Sequence, residues 1–400
     1  MKFFDKLSIG LISAVAISAI AQSAPVFAIS AQIPSASMVA ETKAEDLFNQ
    51  GEQKYQKGDY QGAIAAYTQA IALNPNYTEA YDGRGKARYR LGDHKGAITD
   101  FNEALRINPN YIAAYTNRGN ARDDSGDSQG ALADYSTALR LNPNDAGAYY
   151  NRGVTRSRLA DKKGAVADYN EAVRINPNYA SAYSNRGIVR SQLGDNKGAI
   201  ADFDAALRIN PNLFQAYGNR GLSRLTLGDK EGALADFNQV LRINPNDAFA
   251  YYNRGNIRYI SGDNKGALAD FNEVLRINPN NAAAYISRGN ARDDLGDSQG
   301  AVADYDRALQ INPKYASAYL NRGVTRARLG DKPGAIADYN AALQIEPNLA
   351  GAYLSRGLVR AELGEKSGAM QDFQKAADLF QKQGDQSNYQ KAVDSLKKLQ

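Results

Sequence analysis

ASAYSNRGIVRSQLGDNKGAIADFDAALRINPNL, residues 180–213, is the stretch from which nearly all of this chain is built. Tyr183, Gly187, Arg190 and Leu193 recur at helical spacing, which predicts a first helix ending at Gly194-Asp195. Glycine accepts the left-handed backbone that follows a helix C-terminus. The aspartate beside it can accept from the free amides that open a second helix. That second helix is predicted through Ala199, Phe203, Ala206 and Leu207 to Asn210-Pro211, where proline cannot continue it and Asn212 is expected to cap the next. Gly187 and Ala199 carry little or no side chain, so the two helices can close around Phe203.

The unit repeats. Prolines stand at Pro75, Pro109, Pro143, Pro177, Pro211, Pro245, Pro279, Pro313 and Pro347, each 34 residues after the last. A fixed period of this size means a stacked array of one supersecondary unit. Ten units follow: 44–77, 78–111, 112–145, 146–179, 180–213, 214–247, 248–281, 282–315, 316–349 and 350–383, the tenth having Gln381 in place of the proline. An aromatic at position four, Gly at eight, Ala at twenty, an aromatic at twenty-four, Ala at twenty-seven and Pro at thirty-two resemble the tetratricopeptide repeat (TPR) family. Two departures are the Leu47 or Tyr that stands for the family's frequent Trp, and the arginine that mostly replaces Leu at position seven. The resemblance implies an all-α fold, a right-handed α-solenoid superhelix, with a groove lined by the first helix of each unit.

Outside the array, Lys2 and Lys6 precede an uncharged apolar run, Leu7 to Ile20, shorter than the ~20 residues that span a bilayer. We read 1–28 as a secretory signal peptide cut after Ala28, against the alternative of an uncleaved anchor. Residues 29–43, rich in Ala, Ser and Gln without periodicity, are expected to form a disordered linker. At the other end, Tyr389, Val393, Leu396 and Leu399 mark 386–399 as an amphipathic C-terminal capping helix, with Lys391, Lys397 and Lys398 facing water. The expected location is thus exported: periplasm or cell envelope, alternatively thylakoid lumen or extracellular. The chain has no Cys, which excludes disulfides and thiol chemistry.

Arginines recur at positions seven (Arg84 through Arg356) and eleven (Arg88 through Arg360), and an aspartate at twenty-three (Asp100 through Asp372). The first unit lacks all three, having Gln50, Lys54 and Ala66, and this joint absence predicts an ion-pair ladder between helices. A net charge of +5 over 400 residues argues against the alternative, arginine rows that bind nucleic acid.

Position six, on the groove wall that the family resemblance implies, is asparagine in seven units. Asn117, Asn151, Asn185, Asn219 and Asn253 are consecutive, similar to the asparagine ladder of O-GlcNAc transferase TPR superhelices, which holds an extended peptide. A carboxamide sets a donor beside an acceptor, matching a peptide backbone; the alternative is that each amide bonds a neighbouring helix. Tyr150, Phe249, Tyr252 and Tyr259 are candidate side-chain contacts, with Phe249, Tyr252 and Tyr259 the best single pocket, and Asp123 and Asp124 would favour a basic segment. Tyr89 and Tyr259 could instead pack between repeats, and the aspartate pairs could be a solvated face. The lone histidine, His94, placed in an inter-helix loop, gives little material for catalysis, and carboxylates alone little for a metal.

The function expected is a non-enzymatic protein-interaction module, without cofactor or metal, holding an extended segment of a protein or peptide partner. It is read as a monomer without nucleic acid or membrane insertion after signal cleavage; the alternative is an envelope or membrane scaffold using convex or edge surfaces. Near-identical stretches 170 residues apart, such as 120–135 and 290–305, point to duplication of a five-unit block. Amino-terminal sequencing of the mature protein is expected to start at Ile29; a chain that still begins at Met1 would remove the cleavage.

Overall fold

The computed structural model describes residues 36–400. Among them every regular element is a helix. In chain order the pairs are α1 and α2 (Ala36–Gln56, Tyr60–Leu73), α3 and α4 (Thr78–Arg90, His94–Ile107), α5 and α6 (Ile112–Asp124, Ser128–Leu141), α7 and α8 (Ala146–Arg158, Lys162–Ile175), and α9 and α10 (Ala180–Gln192, Asn196–Ile209). They continue as α11 and α12 (Phe214–Thr226, Lys230–Ile243), α13 and α14 (Ala248–Ile260, Asn264–Ile277), α15 and α16 (Ala282–Asp294, Ser298–Ile311), α17 and α18 (Ala316–Arg328, Lys332–Ile345), α19 and α20 (Ala350–Glu362, Lys366–Gln383), and close with α21 (Gln386–Lys397). Each helix packs on the next, giving an α-solenoid.

The hairpin forms for the reasons carried by its sequence. A Cβ on Gly187 would lie 2.9 Å from Cε1 of Phe203, so glycine is what lets the ring, fully buried, wedge between α9 and α10. The turn glycine Gly194 takes φ +87°, and Asp195 accepts from the Gly198 amide at 2.8 Å, capping α10. One unit breaks the rule: Ala160 adopts φ +63° where its counterparts are glycine, a left-handed conformation that costs a non-glycine residue roughly 1–2 kcal/mol.

The arginine–aspartate ladder is present in all nine units that carry the residues. In the fifth, Arg186 and Arg190 both reach Asp202, with Arg190 Nη1 2.8 Å from its Oδ2. Arg186 also donates to Asn170 on α8, 2.8 Å away, and its guanidinium lies over the ring of Tyr183. One side chain therefore ties together its own hairpin and the preceding one. Asp202 is 3% exposed, and a carboxylate that buried is tolerable only with such partners.

Some details differ from the sequence reading. Helix α1 begins at Ala36, so 36–43 is helix rather than linker; the signal-peptide residues and 29–35 lie outside the described residues. Asn212 does not cap α11: Leu213 holds that place without a side-chain bond, while Asn210 accepts from the Asn212 amide at 3.1 Å. His94 is the first residue of α4 rather than a loop residue, half-buried, with its ring 5.4 Å from that of Tyr89. Without a proline at Gln381, α20 runs for 18 residues to Gly384, φ +74°. Against it packs α21 with Tyr389 and Val393, its one fully covered residue being Ala392, while Lys391, Lys397 and Lys398 are exposed.

Asp202→Ala strands two arginines and is expected to cost about 3 kcal/mol or more. Glu171→Ala, which removes an exposed pair with Arg174, should cost under about 0.5 kcal/mol. Urea denaturation followed by circular dichroism separates the two, and equal effects would deny the ladder its role.

Candidate protein-binding groove

The odd-numbered helices α1 to α19 form one row. Successive members touch from α1–α3 to α17–α19, while no successive even-numbered pair packs as closely, so the odd row lies on the inside of the curve. The exception is the step from α11 to α13, where that inner packing thins. This step coincides with Gly218 at position five, where every other unit carries a side chain. A cavity of about 270 Å³ opens there, lined by Phe214, Gln215, Gly218 and Asn219 of α11, with Val240, Asp247 and Phe249. Phe249 is 52% exposed, its ring edge against Phe237 at 6.3 Å between centroids.

The asparagine row divides into two kinds. Asn117 donates to Asp82 at 2.8 Å, Asn151 to Asn120 at 3.0 Å and Asn185 to the Tyr150 hydroxyl at 3.1 Å, each in the preceding unit. Asn321 likewise donates to Asn290 at 2.9 Å. These amides brace neighbouring repeats. Asn219 and Asn253 instead turn back on their own helices, to the carbonyls of Gln215 and Phe249 at 2.9 and 2.8 Å, in bonds that are exposed where the inter-repeat ones are part-buried. The cause is the residue met across the interface. Asp82, Asn120, Tyr150 and Asn290 offer an acceptor at position five or nine; before Asn253 stand Gly218 and Leu222, which offer none, while before Asn219 the short Ser184 takes no bond from the amide and Ile188 offers none.

Phe249, Tyr252 and Tyr259 do not form one pocket. Phe249 belongs to the cavity at the α11–α13 step, and Tyr252 packs on Phe271, 6.1 Å between ring centroids. Tyr259 lies beside Asp293 and Asp294 in another recess. Tyr150 stacks on Tyr179 at 4.9 Å and takes part in repeat packing. Asp123 is held by Ser128, Thr155 and Arg158 at 2.8, 2.9 and 3.0 Å, whereas the exposed Asp124 accepts only from the Tyr89 hydroxyl. Gly218, Gln215 and Asn120 were not among the expected site residues; a column of position-five residues would have exposed Gly218.

Burial, then the hydrogen bond to Asp124 and its charge, pushes the Tyr89 phenol up to about 12; Tyr259 is pushed up to about 12 in the same way by burial and Asp294. Burial pushes the Asp82 carboxyl up, against the pull of Lys86 and Asn117.

Tetratricopeptide and TPR repeat models match residues 48–112, 119–159, 163–194, 180–213 and, in overlapping pieces, 225–364. The chain belongs to the tetratricopeptide repeat family. Solved TPR structures resemble it. A repeat protein from Parabacteroides merdae is 24% identical, over 62% of this chain and 98% of that one, with TM-score 0.45. YrrB, described as a TPR protein with an unusual peptide-binding site, is 25% identical over 46% and 95%, TM-score 0.43. The Cut9–Hcn1 hetero-tetramer of APC/C matches at 15% over 91% and 92%, TM-score 0.48. No curated protein matches the chain. TPR repeat proteins are generally non-catalytic interaction modules, and this chain carries the TPR scaffold typical of protein–protein interaction. Among the described residues no helix is long and apolar enough to cross a membrane, and no group of three His, Cys, Asp or Glu is placed to hold a metal.

The raised tyrosines set an alkaline limit. In the unfolded chain tyrosine ionises near pH ~10. Above that the unfolded state has lost protons that the folded state keeps, so stability falls as pH rises through about 12. The urea midpoint is expected to be flat below pH ~10 and to drop above it, less steeply in Tyr89→Phe/Tyr259→Phe. An identical drop in that variant would refute the assignment.

Proposed function

We propose that this TPR protein is a non-enzymatic binding module that holds an extended segment of a partner protein along its inner row, centred on the α11–α13 step. The observation that carries the reading is the coincidence at that step of three features. The inner helices pack less closely around Gly218, an aromatic ring stands exposed at Phe249, and Asn219 and Asn253 are the expected ladder asparagines not engaged with a neighbouring repeat. Each amide keeps its oxygen and one N–H for a peptide backbone, which can be read without regard to sequence. An apolar side chain of the segment enters the recess against Phe249, where burial contributes roughly 1.5–3 kcal/mol. The site of action is outside the cytoplasm, a reading supported by residues 1–28.

Filling the recess tests the proposal. A Cβ at Gly218 meets nothing closer than 3.9 Å, and leucine occupies the same position as Leu320 and Leu354, so Gly218→Leu should fold. Segments cross-linked through a photoreactive residue placed at Gln215 are expected to vanish in Gly218→Leu and to weaken about ten-fold or more in Phe249→Ala. Undiminished cross-linking in both, or capture lost only by changes on the even-numbered helices, would replace the groove with the convex scaffold reading.

A further inference from the structure

Two recesses in the inner row are copies of each other. The first, about 280 Å³, gathers Tyr89, Asn120, Asp123, Asp124, Asn151 and Val154 among its walls. The second, about 200 Å³, has Tyr259, Asn290, Asp293, Asp294, Asn321 and Val324, each the same residue type 170 positions later. Their internal bonds match. Tyr135 donates to Asn120 at 2.7 Å and Tyr305 to Asn290 at 2.8 Å. Thr325 and Arg328 hold Asp293 at 3.0 Å as Thr155 and Arg158 hold Asp123.

Most of these wall residues lie in the near-identical stretches, but the first helix of each recess has changed. Between α3 and α13 the inner residues differ as Glu79 and Phe249, Asp82 and Tyr252, Gly83 and Asn253, Lys86 and Asn256, and Arg90 and Ile260. The one kept is the tyrosine that faces the aspartate pair, Tyr89 and Tyr259. Charge is unbalanced in both recesses. The guanidinium of Arg158 is taken by Asp123, which two hydroxyls also satisfy, so exposed Asp124 retains a net negative charge with only a neutral phenol as its partner. Arg328 and Asp293 leave Asp294 in the same state. In each case an open cavity holds a fixed acceptor beside an aromatic ring, the surroundings that favour an ammonium or guanidinium group.

We propose that the two recesses are equivalent receptors, each taking one lysine or arginine side chain of the bound segment through Asp124 and Asp294. The inference rests on the groove reading for how the segment runs, since the recesses lie before and after the α11–α13 step. The pockets themselves can be tested without it.

The absence of cysteine allows one dye per molecule, at Ser125→Cys or Leu295→Cys beside each acid. The probe is a blocked pentapeptide, Gly-Ser-Arg-Ser-Gly, too short to reach the central step, with the arginine replaced by glutamate as control. Saturable signals at both dyes with the arginine probe, none with the control, are expected. Asp124→Asn should weaken the first site about ten-fold or more and leave the second unchanged, and Asp294→Asn the reverse. Binding at neither dye, at one only, or unaffected by the matching substitution would overturn the proposal. If both recesses fill while Gly218→Leu leaves partner cross-linking intact, the receptors stand and the centred groove reading falls.

Discussion

A buried aspartate held by two arginines is the contact on which the rest of the stack depends. Asp202 and its eight counterparts are 1–3% exposed, where an unpaired carboxylate would be intolerable. The first arginine of each trio also reaches the preceding repeat, as Arg220 reaches Asp204 and Arg254 reaches Asn238. Apolar packing around Phe203 and its equivalents supplies most of the driving force. The directional bonds fix how one hairpin sits on the next, and so fix the inner row.

That row is where binding chemistry differs from repeat to repeat. Most of its polar groups are spent on the architecture: Asn117, Asn151 and Asn185 act as struts, and Asp123 is satisfied on both oxygens. What remains for a ligand is small and localised. It consists of the gap at Gly218 with Phe249, the free ends of Asn219 and Asn253, and the two exposed aspartates.

Much of this was legible in the residues. The period located the hairpins because proline, left-handed glycine and capping aspartate each act on local backbone, and the ladder was legible because the first unit lacks all three members together. The asparagines were harder. Whether an amide at position six faces a ligand or a neighbour depends on a residue some 30 positions earlier, Asp82 for Asn117 but Gly218 and Leu222 for Asn253. The pocket expected from Phe249, Tyr252 and Tyr259 failed for a related reason: residues close on one helix point into different inter-repeat spaces.

The thinning of the inner row between α11 and α13 also has a mechanical meaning. The outer contact at that step, α12 on α13, is as close as that of α18 on α19, so the stack is continuous there and only its inner edge is open. The step falls one unit past the 213/214 boundary between the two five-unit halves, with one tyrosine–aspartate recess on either side. The two recesses are thus fixed on one continuous frame, with the open inner edge between them.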